Sequence, residues 1–359
     1  MGASGSGFRR GLPWLALLVG SVLAFGLGEL ALRVLRPPQL AKVRYPCVYE
    51  PDERFGYRYA PGGRGRIAAH FEFDRTVEIN SLGFYDEEPS GDGPVVLAVG
   101  DSFTAAMNLP VEQVWTSVLE RSLRRGGAPS ADVVNLGLDG TGTDVHLEVL
   151  RAHVPRFRPQ TVVLAFYAND VGDVVHGRFQ RECHRGYVVS YQTREQRDAL
   201  RARVDAHLEK RLRIGLYDHL YWARLLAAAW LPRLNPYHAE FVQPRLAELG
   251  PQARDGEAGA RRFREAVDGL NALAERCDCR LVVAPVPPRK DARGSLALWQ
   301  RYAPNSRLPL LDVLPILERE RRVRGLSHED LFFRHDRHLN ALGNELYGRA
   351  VAELLSRGS

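Results

Sequence analysis

The sequence predicts an α/β protein: a three-layer α/β/α sandwich with a five-stranded parallel sheet, plus an N-terminal transmembrane helix. From Pro94 onward, short β-branched runs alternate with amphipathic helical stretches, which is the pattern of βα units around a parallel sheet. One uncharged apolar run near the N-terminus is the membrane candidate. The 359 residues, 45% hydrophobic and 26% charged, suit one large domain or two modest ones and disfavour disorder or a multi-span membrane protein.

The apolar run covers residues 11–28 and follows two arginines. At about 1.5 Å per residue it nearly crosses a hydrocarbon core of about 30 Å. No good small-x-small cleavage site precedes Glu29, and the helix-forming pattern continues to Pro37. An uncleaved signal anchor over residues 1–36 is therefore favoured over a cleaved signal peptide or a buried helix. Basic residues flank the run on both sides, so the positive-inside rule leaves its orientation open.

The formal net charge of +6 does not indicate a nucleic-acid partner. Four arginines against one glutamate put +3 of that charge in the first 36 residues. The other arginines are scattered among Ala, Gly and Leu and form no basic patch, so nucleic-acid binding is not expected.

Three parts are predicted after the anchor. Residues 37–93, with Pro and Gly punctuation, are expected to form an extended segment that packs on the core. The main domain is expected over 94–359, with strands at 94–99, 131–137, 161–167, 280–286 and, more weakly, 308–313. Residues 173–255 break the alternation because they are Arg-rich, helical in pattern and then interrupted by prolines, and we interpret them as a helical insertion at the mouth of the sheet.

The four cysteines are too few for a disulfide framework. A single Cys47–Cys183 bridge is compatible with an exported domain, and free buried thiols are at least as compatible. Cys277 and Cys279 lack the second Cys/His pair that a zinc site needs.

Polar residues follow three of the predicted strands, where open α/β sheets form their sites. Ser102 follows the first strand within Gly-Asp-Ser-Phe-Thr, at a strand-to-helix turn that would expose its hydroxyl as a nucleophile. Gly140 follows the second strand and could present a backbone amide, and Asn169 follows the third and could aim its side-chain amide into the same crevice. Taken alone, the tripeptide with Ser102 is more typical of a helix cap, Gly140 is equally typical of an ordinary turn, and Asn169 is typical of a turn residue.

A second group precedes the last predicted helix. An acyl-transfer serine needs a neutral imidazole to accept its proton and a carboxylate to hold that imidazole, and His338 and Asp336 supply both. A metal site that includes His335 lacks further ligands in a recognisable pattern. A polar loop that caps the helix through Asn340 is the plainer alternative. No GxxxxGK[ST] loop is present and no GxGxxG follows a strand, so no cofactor is expected.

Taken in order, these blocks resemble those of the SGNH/GDSL hydrolase superfamily. The resemblance is carried by GDSFT, the N-x-x-x-x-G of 135–140, the Asn-Asp of 169–170 and the terminal D-x-H-L-N. The stretch INSLGFYDEE at 79–88, with GELALRVL at the end of the anchor, resembles the leader of membrane-anchored bacterial members. The resemblance implies a flavodoxin-like fold and an esterase or acyl-transfer enzyme, single-pass in the bacterial inner membrane, with its domain outside and a small-molecule or glycan ester as substrate.

Carried over by position, the resemblance implies that Ser102 is the nucleophile and His338 its general base, with Asp336 as partner. The backbone amides of Ser102 and Gly140 and the side chain of Asn169 would form the oxyanion hole.

This sequence departs from the family pattern twice. Tyr167 stands where the third block usually has glycine, and the carboxylate lies two residues before His338, where the family usually has three. The second spacing resembles polysaccharide O-acetylation relatives, so a serine esterase and an O-acyltransferase both stay open. A non-catalytic glycan-binding or partner-binding scaffold is a third reading, and the retained serine, histidine and carboxylate disfavour it.

Overall fold

The computed structural model describes residues 6–37, 40–41, 43–91, 93–213, 220–230, 241–243 and 256–357. The helices of these parts are α1 Ser6–Leu35, α2 Ser102–Ala105, α3 Trp115–Arg125, α4 Thr143–Phe157, α5 Asp170–His176, α6 Arg194–Arg213, α7 Tyr221–Trp230, α8 Gly256–Arg276, α9 Gly294–Tyr302, α10 Leu314–Arg324 and α11 Ala341–Arg357. The strands are β1 Tyr49–Asp52, β2 Gly56–Tyr59, β3 Arg64–Ala69, β4 Phe73–Glu78, β5 Val95–Gly100, β6 Asp132–Asn135, β7 Thr161–Ala165, β8 Gln180–His184, β9 Tyr187–Tyr191, β10 Phe241–Val242 and β11 Arg280–Val283. The prolines that interrupt the insertion lie outside the described residues.

The central sheet has the order β11-β7-β5-β6, with all strands parallel. Its strands are runs of Val, Leu and Ala buried on both faces, as a sheet covered by helices on both sides requires. Because βα crossovers are right-handed, the step from β5 to β6 places α3 on one face, and the return to β7 and β11 places α4 and α8 on the other. The chain adds β6 on one side of β5 and then adds β7 and β11 on the other side, so the strand order reverses between β5 and β7. A ligand site is expected at the carboxyl ends of these two strands.

The prediction of a fifth strand is not matched. Residues 308–313 meet β11 only in an isolated parallel bridge between Leu310 and Val283, with two backbone hydrogen bonds of 2.8 and 2.9 Å. The rung before this bridge would need the N–H of Pro309, and the rung after it would need the N–H of Pro285. Proline has no N–H, so the pairing is confined to one residue.

The segment after the anchor consists mainly of two antiparallel hairpins, β1–β2 and β3–β4. Tyr57, Tyr59 and Val77 of these hairpins are buried in the same apolar core as the central sheet. The segment is therefore packed onto the α/β domain, beside the carboxyl ends of the central strands.

The expectation of a helical insertion is not met over residues 180–191. These form the hairpin β8–β9, which β10 extends to three strands, packed against α6 around a small apolar cluster. The run Tyr187–Tyr191 is rich in aromatic and β-branched residues, which favour a strand. The helices α6 and α7 match the helical part of the expectation.

The N-terminal helix contains one candidate membrane span, Pro13–Leu35, of 23 residues with a mean hydropathy of 2.1. Its apolar side chains are exposed along nearly the whole span. Near the end of the span, Glu29 accepts the backbone N–H groups of Tyr221 and Trp222 at 3.0 Å each. This carboxylate therefore caps the N-terminus of α7 and ties the insertion to the anchor. By length and composition the helix suits an anchor or a signal sequence.

All four cysteines are paired. Cys47 is bonded to Cys183, which joins the segment after the anchor to β8, and Cys277 is bonded to Cys279 in the turn between α8 and β11. The alternative of free buried thiols is therefore not matched.

Candidate active site

Ser102, His338 and Asp336 form one chain of hydrogen bonds. The Nε2 atom of His338 lies 2.9 Å from the Oγ atom of Ser102, and its Nδ1 atom lies 2.6 Å from the Oδ1 atom of Asp336. Ser102 is the first residue of α2, directly after β5, and the other two residues lie in the loop before α11. The fold thus joins residues that are 236 positions apart in the sequence.

Local turns at both ends set this geometry. The buried carboxylate of Asp101 caps α2 by accepting the N–H of Phe103 at 2.9 Å, which fixes the turn that exposes Ser102. On the other side Arg337 has a φ of +75°, so the backbone turns sharply between the carboxylate and the imidazole. The carbonyl oxygen of His338 accepts the N–H of Phe333 at 2.9 Å, which closes this loop.

The charged forms of His338 and Asp336 stabilise one another. Burial lowers the pKa of His338, but the hydrogen bond and charge of Asp336, with the charges of Asp101 and Asp139, outweigh it and hold that pKa above 6.5. Burial raises the pKa of Asp336, but the hydrogen bond and charge of His338 outweigh it and hold that pKa below its usual value. The carboxylate is therefore ionised, and the imidazole becomes neutral at a somewhat higher pH than a free histidine.

Gly140 and Asn169 lie at the carboxyl ends of the two strands that flank β5. Gly140 has a φ of +68°, and a Cβ there would lie 2.6 Å from an Arg181 nitrogen, so the position requires glycine. Asn169 is exposed, and its side-chain amide donates to Asp173 at 3.0 Å. Among the described residues, no hydrogen bond joins Ser102 to Gly140 or to Asn169.

Sequence reasoning missed a group of buried acids beneath the serine. Burial raises the pKa of Asp101 to about 7 and that of Asp173 to about 6, and it raises the pKa of Asp170 well above its usual range. Burial also lowers the pKa of His146, whose Nδ1 atom lies 4.0 Å from Asp170, to about 3. The imidazole of His146 is therefore neutral near pH 7, and these acids carry less than their full charge. The only sequence signal was their position next to Ser102 and Asn169.

The second missed group surrounds Asp139, the neighbour of Gly140. Arg181 donates to the carbonyl oxygen of Asp139 at 2.9 Å and to its carboxylate at 3.0 Å. The hydroxyls of Tyr49 and Tyr59 donate to the same carboxylate at 3.0 and 2.7 Å, and the hydroxyl of Tyr57 donates to the carbonyl. We call these five residues the Asp139 cluster. It joins β8, the β1–β2 hairpin and the loop after β6.

A cavity of about 90 Å³ opens beside the serine and the imidazole. Its wall contains Ser102, His338, Asp336 and Asp139, together with mostly apolar residues of the segment after the anchor. Among the described residues, no group of three or more His, Cys, Asp or Glu side chains has the arrangement of a metal site. The arrangement around the cavity can activate a serine hydroxyl by removing its proton.

Neither the protein-family models nor the curated proteins match this sequence. Solved structures do match it. A putative lipolytic protein of the G-D-S-L family from Desulfitobacterium hafniense DCB-2 is 14% identical over 72% of this chain and 98% of its own, with a TM-score of 0.38. TesA is 16% identical over 73% and 98%, with a TM-score of 0.39. The acetyl xylan esterase AlAXEase is 13% identical over 74% and 98%, with a TM-score of 0.38. Similarity at this level does not carry an activity from one protein to another. The chain is similar in structure to proteins named as G-D-S-L lipolytic proteins and esterases.

Proposed function

We propose that this protein is a membrane-anchored serine esterase that cleaves an ester through an acyl-Ser102 intermediate. The observation that carries the proposal is the Ser102–His338–Asp336 chain of hydrogen bonds, with distances of 2.9 and 2.6 Å. A nucleophile, a base and a group that orients the base are the parts that such a reaction needs. The order of the four sequence blocks, three of them at strand ends and the last in the loop before α11, supports the same assignment.

In the first half-reaction the Oγ atom of Ser102 attacks the ester carbonyl carbon while its proton passes to the Nε2 atom of His338. Asp336 holds the Nδ1 proton and stabilises the imidazolium. The tetrahedral intermediate collapses, the alkoxide leaves with the proton from His338, and Ser102 stays acylated. In the second half-reaction His338 takes a proton from water, the hydroxide oxygen attacks the acyl carbon, and the serine regains its proton as the acid departs.

The oxyanion would be bound by the amides of Ser102 and Gly140 and by the side chain of Asn169. Each such donor contributes about 3 kcal/mol to the transition state in enzymes of this kind. The Asn169 side-chain amide donates to Asp173 at 3.0 Å, and a further hydrogen bond from it favours the ionised form of Asp101. The oxyanion would therefore compete with these carboxylates for the two N–H groups of Asn169.

An O-acyltransferase is the second candidate, favoured by the two-residue spacing of Asp336 and His338. Its first half-reaction is the same. A carbohydrate hydroxyl would replace water in the second, with His338 removing the proton of that hydroxyl. A binding scaffold has no need of a base aligned at 2.9 Å on a serine, and this distance argues against that reading.

We also propose that the domain lies outside the bacterial inner membrane. The pairing of all four cysteines supports an oxidising compartment, because disulfides are rare in the cytosol. The span of 23 residues supports a single-pass anchor.

The test is hydrolysis of p-nitrophenyl acetate by the full-length protein in detergent. Ser102→Ala is expected to lower kcat/KM at least 10³-fold and to abolish an acyl adduct in the intact mass. Ser122→Ala is the matched control, because that hydroxyl bonds only a carbonyl within α3 and its loss should leave turnover unchanged. Turnover that survives in the folded Ser102→Ala protein would contradict the proposal. Transfer of acetyl to an added oligosaccharide faster than to water would instead select the acyltransferase.

A further inference from the structure

We propose that α7 and the tip of the β3–β4 hairpin lie on the surface of the bilayer beside the anchor, and that this contact holds the candidate site close to the membrane. The partner is the lipid itself, at the level where headgroups meet acyl chains. The inference goes beyond the proposed function and does not depend on the chemistry of Ser102. Its basis is the way the anchor is built into the domain and the place where exposed apolar side chains lie.

The end of the anchor packs against the start of α7. The ring of Trp222 stacks on Phe25 with centroids 5.9 Å apart, and its Nε1 atom donates to the carbonyl oxygen of Phe25 at 3.1 Å. A Cβ on Gly28 would lie 2.5 Å from a carbon of the same ring, so the two helices approach closely here. The guanidinium of Arg33 lies 5.3 Å from the centroid of the Tyr221 ring. These contacts cover about two turns of α1, and α7 therefore has a fixed place on the anchor.

The depth of these contacts follows from the sequence of α1. The uncharged run 11–28 is about 27 Å long as a helix, slightly less than a hydrocarbon core of about 30 Å, so the boundary of that core lies at Glu29 or beyond. Phe25 lies four residues before Glu29, about 6 Å further into the bilayer. Trp222, which bonds Phe25, therefore lies at or below the headgroup level, where tryptophan is enriched in membrane proteins.

The last turns of α1 agree with this placement. Beyond Glu29 the helix still exposes large apolar side chains, at Leu30, Val34 and Leu35. A boundary moved outward to cover them would place α7 deeper in the bilayer and not further from it.

Exposed apolar side chains collect at the same level. Among the described residues outside α1, four large apolar side chains are exposed, and two of them are Phe71 and Leu226. Leu226 lies on α7, about one turn after Trp222, and is 54% exposed. Phe71 is 39% exposed and stacks on Tyr221, with ring centroids 6.3 Å apart and planes at 8°. We call Phe71, Trp222 and Leu226 the lipid patch.

Lipid suits this patch better than a second protein does. The patch continues from a membrane span, as the apolar face of an interfacial helix would. A stable protein interface buries about 800 Å² on each partner, and three partly buried side chains supply only a fraction of that area. Lipid needs no matching shape, so a small patch beside an anchor is sufficient.

The hairpin tip connects the lipid patch to the candidate site. His70 and Phe71 at the tip have φ values of +52° and +61°, a conformation that is uncommon for residues other than glycine. On the other side of the tip, the carboxylate of Glu72 accepts the backbone N–H groups of His335 and Asp336 at 2.9 to 3.1 Å. The tip thus contacts α7 on one side and the loop of the proposed base on the other. Contact of the patch with lipid therefore fixes the height of the site above the bilayer.

The experiment measures the depth of a nitroxide at position 226. The full-length Leu226→Cys protein would be spin-labelled and placed in vesicles of phosphatidylethanolamine and phosphatidylglycerol. The new cysteine is the only free thiol, because the four native cysteines are paired. Power saturation compares collisions with oxygen, which concentrates in the bilayer, and with a water-soluble nickel chelate. The oxygen-to-nickel ratio is expected to exceed that of the control by about tenfold or more.

Val323→Cys is the matched control. Val323 is also apolar and helical, and at 80% it is more exposed than Leu226, but it lies on α10 and not beside the anchor. Its nitroxide is expected to meet the nickel chelate freely. Apolarity and exposure alone would give both positions the same ratio.

If Leu226→Cys does not fold, Phe71→Cys replaces it with the same expectation. Equal ratios at the patch and at Val323 overturn the proposal. A nitroxide shielded from both reagents also overturns it, because protein, such as a second copy of this chain, would then cover the patch. A purified protein whose mass lacks residues 1–28 overturns it as well, since α7 would have no anchor beside it. None of these outcomes involves turnover, so the proposed esterase stands or fails separately.

Discussion

The two sides of the candidate site are built in different ways. On the side of the base, Ser102, His338 and Asp336 bond one another directly, and all three belong to the α/β domain. On the side of Gly140, the loop after β6 is held by Arg181 and by tyrosines of the β1–β2 hairpin. The residues proposed for proton transfer are thus supplied by the domain, whereas the loop of Gly140, the proposed oxyanion donor, is held by segments outside it.

The segment after the anchor and the insertion therefore both contribute to the candidate site. Cys47 and Cys183 join these two segments a few residues from Tyr49 and Arg181. The disulfide therefore holds together the two elements that meet at Asp139. Changes on the base side should affect chemistry with little loss of stability, and changes in the Asp139 cluster should affect both.

The largest effect on activity is expected from His338→Ala. Removal of the base should lower kcat on the order of 10⁴-fold or more and leave the melting temperature nearly unchanged. The matched control is His335→Ala, because His335 is exposed and lies three residues away in the same loop. Equal losses in both variants would mean that the loop as a whole, rather than the His338 imidazole, is required.

A smaller loss of activity, with a large loss of stability, is expected from Arg181→Met. This change leaves Asp139 without its cationic partner, and breaking a buried pair costs about 3 to 5 kcal/mol. The measurement is the free energy of unfolding by denaturant, together with kcat. Adding Asp139→Asn to this variant should recover part of the stability, since it removes the unpaired charge. An Arg181→Met protein with wild-type stability and kcat would show that the Asp139 cluster does not support the site.

The smallest effect is a shift in pH dependence. His338 must be neutral to accept the serine proton, so kcat/KM should rise with pH through the pKa of its imidazole, which lies above 6.5. Asp336→Asn removes the charge that raises this pKa, so the residual activity of that variant should rise at a lower pH than in the wild type. A profile that is flat from pH 5 to 9 with chemistry rate-limiting, or a midpoint that moves upward in Asp336→Asn, would contradict His338 as the base.

The sequence was sufficient to predict Ser102, His338 and Asp336 because the patterns that indicate them are local. Strands ending in Gly100 and Ala165 have β-branched runs, and the residues that follow each run fall at one edge of a parallel sheet by topology alone. The pairing of Asp336 with His338 needed only their spacing. By contrast, Arg181 and Tyr59 meet Asp139 across 42 and 80 positions, and no spacing indicates such contacts.

The strand at 187–191 and the missing fifth strand both had signals in the sequence. The run 187–191 has the aromatic and β-branched residues of a strand, but the arginine-rich residues around it favoured a helical interpretation. Pro309 stands in the weakest predicted strand, where its missing N–H helps to confine the pairing to one rung. The acids beneath Ser102 had no signal beyond their position near Ser102 and Asn169, because their burial depends on the packing of α2, α4 and α5 and not on the residues themselves.

Covalent labelling can test whether His338 activates Ser102 as a nucleophile. The full-length protein would be treated with a fluorophosphonate at pH 8 and digested, and the labelled peptide would be identified by mass. We expect one adduct, on Ser102, that is absent in Ser102→Ala and forms at least 100-fold more slowly in His338→Ala. Labelling of a different residue, or labelling of Ser102 at the same rate without His338, would contradict it.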